Sequence, residues 1–187
     1  MSQLKNVSVL LGSLRKQGIS AGLGRALQKL CPADLHLQQL TIGDMPFYNQ
    51  DDEAQPPVAW QAFRKSILAC DALLFITPEY NRSVPAVLKN AIDVGSRPYG
   101  QSVWNGKPAA IFTFSPGNLG GFGANQHLRQ SLSCLNVPTM TNEVYLSSAG
   151  KLLNEHGAIA SPETQHFLSS VMESFATWID RNRPAQV

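Results

Sequence analysis

Three short segments hold most of the residues able to grip a ligand. The first is Gly12-Ser13-Leu14-Arg15-Lys16-Gln17-Gly18-Ile19-Ser20, which follows an apolar run and leads into a helical pattern. Hydroxyl donors and a guanidinium fork at a helix start suit a phosphate, because the first helical N–H groups are unpaired and carry the positive end of the dipole. The segment lacks the Gly-Lys-Ser/Thr close of a P-loop and the GxGxxG of a dinucleotide fingerprint. Its alternative is a solvated turn in which a serine merely caps the helix. The second segment, Pro78-Glu79-Tyr80-Asn81-Arg82-Ser83, is stiffened by Pro78 and by Pro85 just beyond it. A rigid backbone with free N–H and C=O groups matches the alternating donors and acceptors on the edge of a flat heterocycle. Tyr80 can add an apolar face or a phenol. The alternative is a helix entry capped by Asn81 or Ser83. The third segment, Ser115-Pro116-Gly117-Asn118-Leu119-Gly120-Gly121-Phe122-Gly123, has four glycines in nine residues, which lets backbone approach a ligand closely.

Each segment lies at the end of a predicted strand. Val7-Ser8-Val9-Leu10-Leu11 is too short for a helix and stops at Gly12, as a buried parallel strand does. Ile19, Leu23, Leu27 and Leu30 follow at helical spacing, and Pro32 closes that helix. Leu35, Leu37 and Leu40 suggest a second strand, and Gly43 to Pro57 has the composition of a loop. Trp60, Phe63 and Ile67 mark the next helix, and Ala72 to Thr77 is the clearest strand, ending at Pro78. Val84, Val87, Leu88, Ala91 and Ile92 give a third helix, and Ala109 to Phe114 a fourth strand. Leu128, Leu132 and Leu135 mark a fourth helix, Val144-Tyr145-Leu146 a fifth strand. Phe167, Val171, Phe175, Trp178 and Ile179 mark a long C-terminal helix. Such alternation predicts an α/β chain: a doubly wound, five-stranded parallel sheet with helices on both faces, in one domain over residues 1–187. Ligands of such sheets bind beyond the carboxyl ends of the strands, where all three segments fall.

Composition narrows the chemistry. Of 187 residues, 43% are hydrophobic and 15% charged, which excludes a disordered chain. The net charge of +2 and the absence of any basic run give no footprint for nucleic acid. No stretch is long and apolar enough for a membrane span, and no charged-then-apolar leader opens the chain, so a cytoplasmic location is expected. Cys31, Cys70 and Cys134 are scattered, which argues against a metal site or disulfide framework and for small apolar packing. His36, His127, His156 and His166 have no metal-ligand spacing. No cysteine opens an arginine-closed phosphate loop.

Gly-Ser-Leu-Arg (12–15), Pro-Glu-Tyr-Asn (78–81) and Leu-Lys-Asn-Ala-Ile-Asp (88–93) together resemble the NADPH-dependent FMN reductase family, in its chromate, quinone and azo-dye reductase branch. Met45-Pro46-Phe47-Tyr48 and His127-Leu128-Arg129-Gln130 extend the likeness to about Glu143. The resemblance implies a flavodoxin-like fold, non-covalent FMN, and NADPH or NADH as co-substrate. It puts the FMN phosphate on Ser13, Arg15, Gln17 and the helix start Gly18-Ile19-Ser20. It lays the isoalloxazine against Pro78, Glu79, Tyr80 and Asn81, with Ser115, Gly117 and Gly120 at its other edge. Family members commonly carry serine and asparagine where this chain has Gly18 and Ser20. Pro116-Gly117-Asn118-Leu119 also replaces the family's usual small-residue run.

The same resemblance implies a ping-pong hydride relay to small-molecule acceptors (quinones, azo compounds, chromate or free flavin), with no catalytic side chain of the usual kind. The competing reading is a non-enzymatic electron carrier or flavin-binding interaction protein. Near-balanced charge weighs against a carrier steered to protein partners. The family further implies a homodimer through the helix after Pro-Glu-Tyr-Asn, with homotetramers in some members. Val94, Tyr99 and Trp104 read as surplus apolar surface suited to that interface, and Tyr48 or Tyr99 as a wall of the partner's flavin site. The alternative is that these residues fold back over their own core.

Overall fold

The computed structural model describes residues 3–183. β1 (Lys5–Leu11), β2 (Leu35–Gln39), β3 (Ala72–Pro78), β4 (Ala109–Phe114) and β5 (Val144–Leu146) form one parallel sheet in the order β2-β1-β3-β4-β5. Between them run α1 (Ile19–Leu30), α2 (Val58–Ala69), α3 (Ala86–Ser96) and α4 (Phe122–Cys134), and α5 (Pro162–Asn182) closes the chain. Every residue of β3 and β4 is buried, because helices cover both faces and the strands therefore carry unbroken apolar runs. Val9, Leu74 and Phe112 pack with α1 and α5 on one face. Leu10, Leu73, Phe75 and Ile111 pack with α2, α3 and α4 on the other. This is the flavodoxin-like doubly wound arrangement.

Strand order reverses between β1 and β3, which opens the crevice where such sheets bind ligands. The two strands stay close to their ends: the Gly12 N–H donates to the Ile76 carbonyl at 2.9 Å. A Cβ on Gly12 would lie 2.0 Å from Thr77 Oγ1, so only glycine lets the first loop leave alongside β3.

Several details depart from the patterning. The 43–57 loop contains a 3-10 turn, Gln50–Ala54, entered through the Asn49 side chain, which accepts from the Asp51 N–H. On α5, Val171, Phe175 and Ile179 face the core as their spacing predicts, but it is Leu168 and not Phe167 that continues this face. Trp104 is fully buried: its indole N–H donates to the Ile92 carbonyl at 2.9 Å and its ring packs on Phe63 and Phe75. A Cβ on Gly95 would sit 2.5 Å from that indole, so the glycine makes room for it. Trp104 and Val94 thus fold over their own core, and Tyr99, at 88% exposure, alone of the three stays exposed. Cys70 is buried and Cys31 half-buried, but Cys134 is exposed rather than packed.

No helix among the described residues is long and apolar enough to cross a membrane. Among those residues, no three His, Cys, Asp or Glu side chains are grouped to hold a metal ion.

Candidate functional site

The loop after β1 is organised by its own backbone. Ser13 Oγ accepts from the Arg15 N–H at 3.4 Å, and the Gly18 N–H closes onto the Arg15 carbonyl at 2.9 Å. That turn leaves Arg15, Lys16 and Gln17 exposed at the crevice rim. Gly18 is the N-cap of α1 and no side chain caps it, so the serine-cap alternative fails. The first helical bond runs from the Gly22 N–H to the Gly18 carbonyl, which leaves the N–H groups of Ile19, Ser20 and Ala21 without helical partners. Ile19 turns its side chain toward the core, so its contribution to a ligand is its amide. Ser20 is the most telling residue of the loop. It is 0% exposed, and its Oγ has no hydrogen-bond partner. A buried hydroxyl left unpaired costs stability, and such groups mark a missing partner.

The loop after β3 is a tight two-residue turn. The Tyr80 and Ser83 backbones exchange hydrogen bonds of 3.0 and 2.9 Å. Between them Asn81 (φ 49°) and Arg82 (φ 64°) are both left-handed, the geometry of a type I′ turn. Neither of the turn's two bonds uses the Asn81 or Arg82 amides. α3 starts after Pro85 with no side-chain cap, so Asn81 and Ser83 are not its cap. Pro78 ends the strand opposite Phe114, and Tyr80 is half exposed. The Glu79 carboxylate turns away from the crevice, accepting from the Gly123 N–H at 2.7 Å and the Ala124 N–H at 3.3 Å.

The loop after β4 is held by residues not singled out in the sequence. The Ser115 carbonyl accepts from the Ala149 N–H at 3.0 Å, and the Gly117 carbonyl from the Ser148 N–H at 3.3 Å. Ser147 Oγ donates to the Asn118 carbonyl at 2.7 Å. The run Ser147-Ser148-Ala149 follows β5, so it occupies the same strand-exit position as the other three loops. That position, together with its small polar residues, is the signal that would have found it. Gly120 is left-handed, and a Cβ there would lie 2.6 Å from the Tyr145 backbone, so the glycine lets this loop pack close against β5. A Cβ on Gly117 would meet nothing within 4 Å, so its surface is open.

A cavity of about 470 Å³ adjoins the first loop, lined by Ser13, Arg15, Lys16 and Arg25 with the β2 exit. A smaller, apolar cavity of about 290 Å³ lies between α2 and α3, around Trp60 and Pro98. Neither includes Pro78 to Asn81 or Ser115 to Gly120 among its lining residues. The first loop thus sets exposed Arg15 and Lys16 on the β2 side of the switch point.

The 43–57 segment is pinned to α3. Asn90 Oδ1 accepts from the Tyr48 N–H at 2.8 Å, while its Nδ2 donates to the Pro46 carbonyl at 3.1 Å. The Tyr48 hydroxyl donates to Glu53 at 2.7 Å, and Arg97 Nε donates to the same oxygen at 2.8 Å. The hydrogen bond from Arg97, then that from Tyr48, holds the Glu53 carboxyl below the usual carboxylate range. Tyr48 also stacks on Trp60, so it is committed within its own chain, whereas the neighbouring Phe47 ring is free at 75% exposure.

Comparison with known proteins bears on this geometry. The model of a family described as NADPH-dependent FMN reductase matches residues 6–151. The chain belongs to that family. A quinone reductase of Pseudomonas putida is 51% identical over 185 residues, covering 98% of this chain and 99% of that one. A 2-hydroxy-1,4-benzoquinone reductase of a Burkholderia species is 40% identical over 178 residues, 95% of this chain and 97% of that one. Among solved structures, the flavoenzyme NAD(P)H:(acceptor) oxidoreductase FerB of Paracoccus denitrificans superposes with a TM-score of 0.91 at 38% identity, covering 97% of this chain and 100% of that one. Likeness to this FMN reductase family therefore runs well past Glu143, where the sequence motifs stop.

Proposed function

We propose that this chain is an FMN-dependent NAD(P)H:quinone oxidoreductase, built as one domain over residues 1–187. Azo compounds, chromate and free flavin are further small acceptors on this reading. The observation that carries the reading is the first turn of α1: three N–H groups without helical partners beside a buried Ser20 hydroxyl that has none. Together with Ser13 and the Arg15 and Gln17 side chains, they fit a phosphate monoester. FMN, when bound, supplies two-electron hydride chemistry that protein side chains lack.

The chain's own residues bind and orient. Ser13, Arg15, Gln17, Gly18, Ile19 and Ser20 hold the phosphate end. Pro78, Glu79, Tyr80 and Asn81 border the ring on one side through a rigid backbone, with Ser115, Gly117 and Gly120 on the other. Fixed amides there would stabilise negative charge on such a ring without reorganising. Residues 78–81 and 115–120 would border the ring while leaving nicotinamide and acceptor to use one shared site in turn. An electron carrier remains the second reading; near-balanced charge and relatives named as reductases favour the enzyme. We further propose a cytoplasmic homodimer, with a homotetramer as its next state, in which the exposed Phe47 and Tyr99 rings are available for the interface.

The purified protein is expected to be yellow and to release FMN, not FAD, on denaturation. It should oxidise NADPH with a quinone and no partner protein. Colourless protein that takes up no FMN at roughly micromolar levels contradicts the reading.

A further inference from the structure

The second loop owes its shape to a contact that its own sequence does not contain. Its turn places Arg82 at φ 64°, a conformation that costs an L residue roughly 1–2 kcal/mol. Such strain persists where the surroundings over-determine it. Two side chains fasten the turn to α4, one at each end. Ser83 Oγ meets His127 Nδ1 at 2.9 Å. Glu79, whose side chain is 11% exposed, receives the Gly123 and Ala124 N–H groups and lies 3.7 Å from Arg82. Gly123 and His127 are one helical turn apart, so the loop lies along the start of α4.

Helix α4 needs this contact as much as the loop does. Its N-cap, Gly121, is left-handed and offers no side chain, and its first turn holds no acidic residue. Glu79 acts as a cap from another strand's end, meeting both the orphan amides and the positive dipole end. The fit is close, since a Cβ on Gly123 would lie 2.7 Å from the Arg82 carbonyl and 3.0 Å from Glu79 Oε2.

We propose that Glu79 is a positioning residue for the flavin ring. On the FMN reading above, on which this rests, its clasp on α4 holds the Asn81 and Arg82 amides where they favour reduced over oxidised flavin. The side chain acts on the ring only through the turn. Removing a carboxylate also removes a charge near the ring, so the informative comparison is between two uncharged variants. Glu79→Gln keeps an acceptor for the Gly123 N–H, whereas Glu79→Ala does not.

The test is the midpoint potential of bound FMN at saturating cofactor in both variants. The expected result is a lower potential in Glu79→Ala than in Glu79→Gln. A tenfold loss of preference for reduced flavin corresponds to about 30 mV for a two-electron couple. Equal potentials in the two variants would overturn the proposal. If Glu79→Ala does not fold, Gly123→Ala decides, because it levers the turn from α4 without changing any charge. Its potential should fall below the unmodified protein's, and an unchanged value refutes the clasp. Absence of FMN binding by the unmodified protein would instead refute the flavin reading, and this proposal with it.

Discussion

Replacing Ser20 with alanine should move apo stability and cofactor affinity in opposite directions. Without a ligand, the Ser20 hydroxyl is buried and unpaired, a cost of roughly 1–3 kcal/mol. Alanine removes that cost and gains about 0.5 kcal/mol of helix propensity in α1. Loss of the oxygen's packing offsets part of this, so the apo variant should be about 1 kcal/mol more stable. For a chain of this size that is roughly 2–4 °C in Tm. With FMN the sign reverses. A hydroxyl bond to a charged phosphate contributes roughly 1.5–3 kcal/mol, so Kd should rise by about 10- to 150-fold. At FMN near 100 times the unmodified protein's Kd, that protein gains about 2.7 kcal/mol and the variant loses roughly half to nine-tenths of this gain. The assays are urea denaturation of apo protein and FMN titration followed by flavin fluorescence. An apo variant less stable than the parent, or a Kd within about twofold of it, refutes the phosphate assignment.

Gly12→Ala should destabilise by about 1–3 kcal/mol, since its Cβ would press on Thr77 between β1 and β3, whereas Gly117→Ala should stay within about 0.5 kcal/mol. Thermal melts compare the two; equal losses contradict the close approach at the switch point. Glu53 titrates below the ordinary carboxylate range, so its share of stability is present above that range and lost as pH falls through its lowered pKa. Glu53→Gln should flatten the acid limb of a Tm-against-pH curve, and an unchanged limb refutes the link to Arg97 and Tyr48. Initial rates over NADPH and quinone concentrations should give parallel double-reciprocal lines; intersecting lines indicate a ternary complex and overturn the shared ring face.

The fold was legible where burial is two-sided, because β3 and β4 then carry continuous apolar runs that no surface element shows. It was less legible where an aromatic residue stands beside small ones. The direction of Trp104 depends on the space at Gly95, which no local periodicity encodes. On α5, neighbouring Phe167 and Leu168 are both apolar, and only packing picks the inward one. The first loop could be read because a helix start following a strand has a fixed chemistry. The clasp of Glu79 on α4 could not, since its carboxylate meets amides 44 and 45 residues away. The post-β5 serines were missed because the matched motifs end at Glu143, although the strand-exit rule applies to them equally.

The most direct test of the account is an anaerobic half-reaction experiment on the purified protein. NADPH alone should bleach the bound flavin, and a quinone added after removal of the oxidised nicotinamide should restore its colour, with one equivalent of quinone reduced per flavin. A flavin that NADPH cannot bleach, or that stays reduced until a protein partner is added, would contradict the reductase assignment and favour an electron carrier.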